Sequence, residues 1–384
     1  MNQITDQNLK KIYAIRHNLH QIAEISGEEK KTAKYIEKEL KKLKPDHLES
    51  GIGGYGIIAT FEGSHAGPEL LFRAELDALP IPETLQLEYG SQKEGQSHKC
   101  GHDGHMAIVM GLAAYLSQNR PEHGKVHVMF QSAEETGEGA QWMLDDKKLN
   151  AYTPDYVFAL HNLPGYPKGS VILREDVFAS ASVGFIARLE GQTSHAGHPE
   201  DGNSPAPAIS SLIDAFNSLP SRCVGLNKAG LVTVIHARLG KVAFGTTPGE
   251  GEVMATLRAH YNEDLDRMIE TAQAVSQGTA DAWGLDLKTD FTEGFRAVIN
   301  NSEANALIQK SSKRFGEQII TRENPFPWSE DFGRFTEKYN GALFGLGAGE
   351  KQPQLHSRKY DFPDEIIPDG VAVFTGIVDE MLNE

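Results

Sequence analysis

Apolar residues recur at helical spacing early in the chain: Leu9, Ile12, Ile15 and Leu19, then Ala33, Ile36 and Leu40. That period predicts two helices over 6–44. "GIIATFEG" and "ELLFRAELDALP" read as strands, the second closed by Pro80. After a histidine-rich stretch, "MAIVMGLAAYLSQN" is apolar enough to predict a buried helix, with Asp103 placed to cap it. "GKVHVMFQSAEET" and "YVFALHNLPG" read as buried strands running into polar residues. Strands alternating with helices predict an α/β sheet covered on both faces.

From about residue 180 the pattern changes. "ASVGFIARLEG" alternates as a strand, "SPAPAISSLIDAFNSL" is helical, "LVTVIHARLG" and "GEVMATLRAHYN" are strands, and a second helix spans 263–282. This order predicts a small α+β sandwich inserted into the first domain. "NSEANALIQKSSKRFG" then returns to strand–helix alternation and glycine-rich turns. The expected fold is α/β in two domains, 1–179 plus 293–384 and, inserted between them, 180–292. A length of 384 residues agrees, being too great for one ordinary core.

Composition works by exclusion. Hydrophobic residues make up 39% and charged residues 23%, as in a globular chain. The net charge of -16 argues against nucleic acid or anionic membrane as the main partner, since phosphate binding needs a basic surface. No stretch approaches the ~18–20 apolar residues of a spanning helix. The start lacks the basic-then-apolar pattern of a secretory signal. Cys100 and Cys223 make no disulfide framework, so a reducing cytoplasm is expected, with Cys100 a free thiol or thiolate.

"HKCGHDGHM", residues 98–106, packs histidines, a cysteine and an aspartate into one short segment. Asp77, Cys100 with His102, Glu134 with Glu135, and His161 fall near expected strand ends, and His356 lies in a loop near the C-terminus. In open α/β sheets, ligands gather at the carboxyl ends of strands, so these groups can converge. Cys100, His102, Glu135, His161 and His356 are of the types that bind borderline transition metals. Five protein ligands on one cation would leave little room for catalysis. Two cations bridged by the thiolate and a hydroxide have about four bonds each, which suits a two-metal hydrolytic site.

Cys100 and His102 are one residue apart, so in an extended segment both side chains point the same way. Adjacent Glu134 and Glu135 cannot both face one atom squarely; one can ligate while the other serves as general base toward a metal-activated water. His98 and His105 are expected to orient or pack around the site. Taken singly, each residue has an ordinary structural explanation, as a solvated glutamate or a buried histidine or cysteine. Their co-occurrence carries the reading.

These residues resemble a known group. "RAELDALP", "HKCGHDGHM", "QSAEET", "LHNLPG", "TSHAGHP", "SEDFGRF" and "LHSRKYDFPDE" follow the order found in the aminoacylase and carboxypeptidase metallopeptidase family. They are most similar to its hippurate hydrolase, N-acetyl-diaminopimelate deacetylase and auxin-conjugate amidohydrolase branch, which the cysteine of "CGHD" separates from relatives with a bridging aspartate. The resemblance implies an α/β catalytic domain interrupted by a smaller lid domain that commonly mediates dimerisation, hence a homodimer or higher homo-oligomer. It implies two divalent cations, zinc, manganese or cobalt, held by Cys100, His102, Glu135, His161 and His356. Glu134 matches the general base, and Asp77 the aspartate that supports the site. His195 matches a lid histidine that reaches a neighbouring subunit's active site and steadies the oxyanion. Arg258 occupies a lid position that can bind a substrate carboxylate.

There are departures. Glu75 stands where the branch usually has aspartate, and "FGTTPGEGE" replaces a more frequent Asn-x-Ile-Pro stretch of the lid. Trp328 replaces a smaller residue, which would narrow or aromatise the pocket. "ETLQLEYGS" lacks the usual Gly-Leu-Pro wording. The activity implied is hydrolysis of the amide bond of an N-acyl amino acid or related conjugate, a small molecule with a free carboxylate. The rivals are a dipeptidase or carbamoyl-amide hydrolase on the same scaffold, and a non-catalytic metal-binding relative. A cysteine-nucleophile hydrolase using Cys100 and His102 would leave Glu135, His161 and His356 idle.

Overall fold

The computed structural model describes residues 5–383. Helix α1 (Asp6–Ile22) is capped by Thr5, whose hydroxyl accepts the Asn8 N–H at 3.3 Å. Helix α2 (Lys30–Lys42) buries Ala33, Ile36 and Leu40, as its period requires. Then follow β1 (His47–Ile52), β2 (Gly56–Glu62), β3 (His65–Glu75), α3 (His102–Leu116), β4 (His123–Gln131) and α4 (Gly139–Asp145). Next come β5 (Tyr156–Pro164), β6 (Val171–Leu173) and β7 (Asp176–Ala179).

The chain continues through β8 (Ala181–Glu190), β9 (Ser194–His195), α5 (Ala206–Cys223), β10 (Gly230–Leu239) and β11 (Thr246–Thr247). Strand β12 (Glu250–Ala259), α6 (Asn262–Trp283) and β13 (Asp286–Phe295) follow. The last stretch holds β14 (Val298–Asn300), α7 (Ser302–Phe315), β15 (Ile319–Thr321), α8 (Gly333–Lys338), β16 (Asn340–Gly349) and α9 (Ile367–Leu382). Among the described residues no helix is long and apolar enough to cross a membrane.

Two compact units result. The larger takes in the chain up to Phe178, Val298–Pro325, and Glu330 onward; the smaller comprises Ala179–Ala297 and Phe326–Ser329. The larger carries an eight-stranded sheet in the order β1-β2-β4-β3-β5-β16-β6-β15. Its centre, β4-β3-β5-β16, is parallel, so the strands end on one edge. These strands are near-continuous apolar runs, as burial on both faces requires. Phe72 packs on Phe158 at 5.4 Å and on Phe374 of α9 at 4.9 Å, ring centre to ring centre, joining sheet to helix.

Helix α3 is buried along almost its whole length, but Asp103 does not cap it. Gly101 takes the cap position with φ 97, a left-handed backbone that glycine adopts without strain. The helix begins at His102 rather than at the apolar run. Asp103 lies in its first turn and bonds Arg16 Nε and His20 Nδ1, each at 2.8 Å. Its Oδ2 is bound by the buried side chains of Arg16 and His20 instead of backbone amides.

The smaller unit is an antiparallel sheet, β10-β12-β8-β13, with α5 and α6 packed on it. Strands β8 and β12 alternate buried and part-exposed positions, so one face is apolar. Phe185 of β8 meets Phe216 of α5 edge-on at 5.5 Å. The expected order lacked β13. Its sequence "DLKTDFTEGF" is mostly polar because it is an edge strand, with Phe291 about half exposed.

Candidate metal centre

The parallel strands β3 and β4 end just before Asp77 and Glu134, and His161 lies late in β5. Cys100 and His102 come from the turn entering α3, and His356 from the loop after β16. In the larger unit these segments meet. One donor atom each from Cys100, His102 and His161 lies within 4.8 Å of the others, and so do donors from Cys100, Glu135 and His356. Cys100 belongs to both triads.

The segment 100–102 is not extended. The left-handed Gly101 turns the chain, and it is this turn that brings Cys100 and His102 to one place. A β-carbon at Gly101 would lie 2.4 Å from Asn162 Nδ2, so the turn also needs the missing side chain.

The histidines are oriented from behind. His102 Nδ1 donates to the Asp77 carbonyl oxygen at 2.9 Å and lies 3.3 Å from Asp77 Oδ1, which leaves Nε2 buried without a hydrogen-bond partner. His161 Nδ1 donates to the Asn162 carbonyl oxygen at 2.9 Å, and its Nε2 faces Cys100 Sγ at 3.5 Å. Glu135 Oε1 is likewise buried and unpaired. Buried polar atoms are normally satisfied, so two such atoms aimed at one place fit a cation. Thiolate, imidazole and carboxylate are also the donor set of borderline divalent metals.

Glu134 and Glu135 both approach His102 Nε2, at 3.8 Å each, although neighbours on a strand would diverge. They sit on a tight turn after β4 whose first residue, Ala133, has φ 55. Glu29 Oε1 accepts the Ala133 N–H at 2.7 Å, and Asp77 Oδ2 accepts the Glu135 N–H at 3.0 Å. Ser26 Oγ donates to the same Asp77 oxygen at 2.7 Å. This bracing sets both carboxylates toward the centre.

The electrostatics are those of crowded acids. Burial, then repulsion from Glu330 and Glu135, pushes the Glu134 carboxyl well above the usual range. Burial raises Glu135 to about 7, with His102 opposing. Burial and the same glutamates push the Cys100 thiol up. Burial alone would lower His102, but the Asp77 hydrogen bond and nearby carboxylates raise it to about 10. Arg73 is the main counter-charge: it bonds Glu75 and Asp331 and lies 3.1 Å from Glu330.

Donors of His105 and Glu75 also lie within 4.8 Å of one from His102, but these two side chains are taken up by each other and by Asn162. His105 Nδ1 donates to Glu75 Oε2 at 2.7 Å, and its Nε2 accepts the Asn162 N–H at 3.0 Å. His98 is buried, and burial pushes its pKa down to about 3. Sequence reading passed over Arg73, Glu29, Asn162, Glu330, Asp331 and Tyr360. All but Glu29 stand inside motifs already quoted, so their positions were visible but their partners were not.

His195 and Arg258 belong to the smaller unit. His195 is exposed in β9, which pairs with β11, and its Nδ1 accepts the Gly197 N–H at 3.0 Å. Arg258 in β12 donates to Ser329 Oγ at 2.6 Å. Trp328 of the same unit stacks on Phe326 with ring centres 4.8 Å apart.

The sequence pattern described as peptidase family M20/M25/M40 matches residues 71–380. An N-acetyldiaminopimelate deacetylase of Halalkalibacterium halodurans is 31% identical over 373 residues, 96% of this chain and 98% of the relative. A solved structure from methicillin resistant Staphylococcus aureus superposes with a TM-score of 0.89 at 27% identity, covering 100% of both chains. The Bacillus subtilis protein YXEP, described as a dinuclear metal binding peptidase, gives a TM-score of 0.83 at 24% identity over 99% of both chains.

Proposed function

The chain belongs to peptidase family M20/M25/M40, and from that premise we propose that it is a metal-dependent amidohydrolase of N-acyl amino acids or related conjugates. The observation that carries this reading is the pair of triads sharing Cys100, with buried unpaired atoms of His102 and Glu135 facing them. Cys100, His102 and His161 would hold one divalent cation; Cys100, Glu135 and His356 would hold a second. When bound, such cations polarise a scissile carbonyl and lower the pKa of a water toward ~7. Zinc, manganese and cobalt all suit these donors.

The chain's own residues do the rest. Glu134, beside His102 and not needed as a ligand, takes a proton from the attacking water and delivers it to the leaving amine nitrogen. Asp77 holds the His102 proton on Nδ1 and the Glu135 backbone in place. His195 as oxyanion donor and Arg258 as partner of a substrate carboxylate rest on the resemblance. Strand β10 is a sheet edge exposing Leu231, Ile235 and Leu239, which supports association of copies into a homodimer or higher oligomer. Two free cysteines suit a reducing compartment such as the cytoplasm.

A cysteine nucleophile fits less well. Nucleophilic thiols sit where their pKa is lowered, whereas burial and two glutamates raise that of Cys100. The deciding experiment is metal content by mass spectrometry on protein purified without added metal. Hydrolysis of N-acetyl amino acids is then compared with that of dipeptides and ureido acids. Bound divalent metal with hydrolysis of acetyl amino acids is expected; turnover that survives chelation and is stopped by a thiol alkylator would overturn the reading.

A further inference from the structure

Three of the donors come from segments remote in sequence, and a closed ring of hydrogen bonds joins their neighbours. Lys99, which precedes Cys100, is fully buried. Its Nζ donates to the Tyr360 carbonyl oxygen at 3.0 Å and to Glu83 Oε1 at 2.8 Å. Its own carbonyl oxygen accepts the His356 N–H at 2.8 Å. The Tyr360 hydroxyl donates to Asn162 Oδ1, and Asn162 Nδ2 donates to the Cys100 carbonyl oxygen at 2.7 Å. The ring therefore runs from the Cys100 segment through the His161 segment to the His356 loop and back.

His356 is the donor least held by packing. Its side chain is 53% exposed, and its φ of 62 is a left-handed backbone that residues bearing a β-carbon keep only when neighbours hold them. A buried ammonium is itself unfavourable unless paired, so a lysine at this place calls for an explanation beyond filling space. Glu83 supplies the charge, and its other oxygen lies 2.9 Å from His20 Nε2. The Tyr360 carbonyl supplies the connection to the loop that bears His356.

We propose that Lys99 is a positioning residue for the outer metal position: by clamping the 356–360 loop at both ends, it sets His356 against Cys100 and Glu135. This rests on the metal reading above. A role in general stability alone would weaken both metal positions together, or neither.

The test is equilibrium titration of cobalt(II) into the chelator-stripped full chain, read by absorption and by metal content. Lys99→Met leaves Glu83 with only its His20 and Leu85 partners and can unfold the chain, so Lys99→Met is also combined with Glu83→Gln, which removes the carboxylate charge together with the ammonium. The unaltered protein is expected to take two equivalents, and His356→Ala to lose tight binding of one. The double variant should weaken that same equivalent by on the order of 10- to 100-fold and leave the other unchanged. Tyr360→Phe, which opens the ring at the hydroxyl, should give a smaller shift in the same direction. A folded double variant that binds both equivalents as the unaltered protein does, or that loses both alike, overturns the proposal. Should His356→Ala leave both equivalents intact, it is the metal reading that fails, and the clamp with it.

Discussion

The two triads that share Cys100 differ in how they are held. Cys100, His102 and His161 are buried, and each ring is fixed by a carbonyl behind it, at 2.9 Å in both cases. Cys100, Glu135 and His356 open outward, and His356 is 53% exposed. The inner group is a product of sheet and helix packing. The outer group depends on turns: the Ala133 turn held by Glu29, and the loop tied to Lys99. In a centre built this way the exposed half is expected to lose its geometry more readily than the buried half.

The comparison can be broken at several points. The largest effect is expected from Cys100→Ala, which removes the corner common to both groups. Metal content should fall for both equivalents, and turnover should drop to background in the same preparation. Next is Glu134→Gln, which should lower kcat about 10²–10⁴-fold while both metals remain, as metal analysis beside steady-state kinetics would show. Retained turnover there would mean that another group moves the proton.

Asp77→Asn touches both groups, His102 through the carboxylate 3.3 Å from its Nδ1 and Glu135 through its backbone N–H. Metal affinity should fall roughly 10- to 100-fold, read by competition with a chelator of known strength. The pH dependence has a definite sign. Without a cation, burial raises the Cys100 thiol well above its usual range and Glu135 to about 7, so at neutrality the thiol keeps its proton and the carboxyl is about half protonated. Binding must expel those protons, so affinity should rise with pH from 6 to 8 and calorimetry should detect proton release. Gly101→Ala is read on stability instead of metal affinity: it forces a β-carbon into a φ of 97 and against Asn162. A loss of ~1–3 kcal/mol is expected, seen as a lower Tm in the chelator-stripped protein.

Much of the larger unit was legible because its strands are long apolar runs bounded by turns, and their polar ends mark the edge where chemistry collects. The helices over 6–44 were legible from their period alone. Strand β13 was not, because an edge strand with few buried side chains leaves only a weak apolar trace. The start of α3 was missed because His102 and Asp103 are polar residues whose partners, Asp77, Arg16 and His20, are distant in the chain. Nor did adjacency reveal that Glu134 and Glu135 converge, since a tight turn reverses what a strand would do.

By itself the sequence determined the kinds of donor present and the order of the elements that carry them. Those follow from side-chain chemistry and from local period, which are properties of neighbouring residues. The tertiary structure decided which donors share Cys100, which histidine nitrogen faces inward, and that Lys99 lies buried between two loops. The reason is physical: such contacts arise when strand register and loop closure bring segments such as 99 and 360 together, and no local pattern encodes the hydrogen bonds that then lock them.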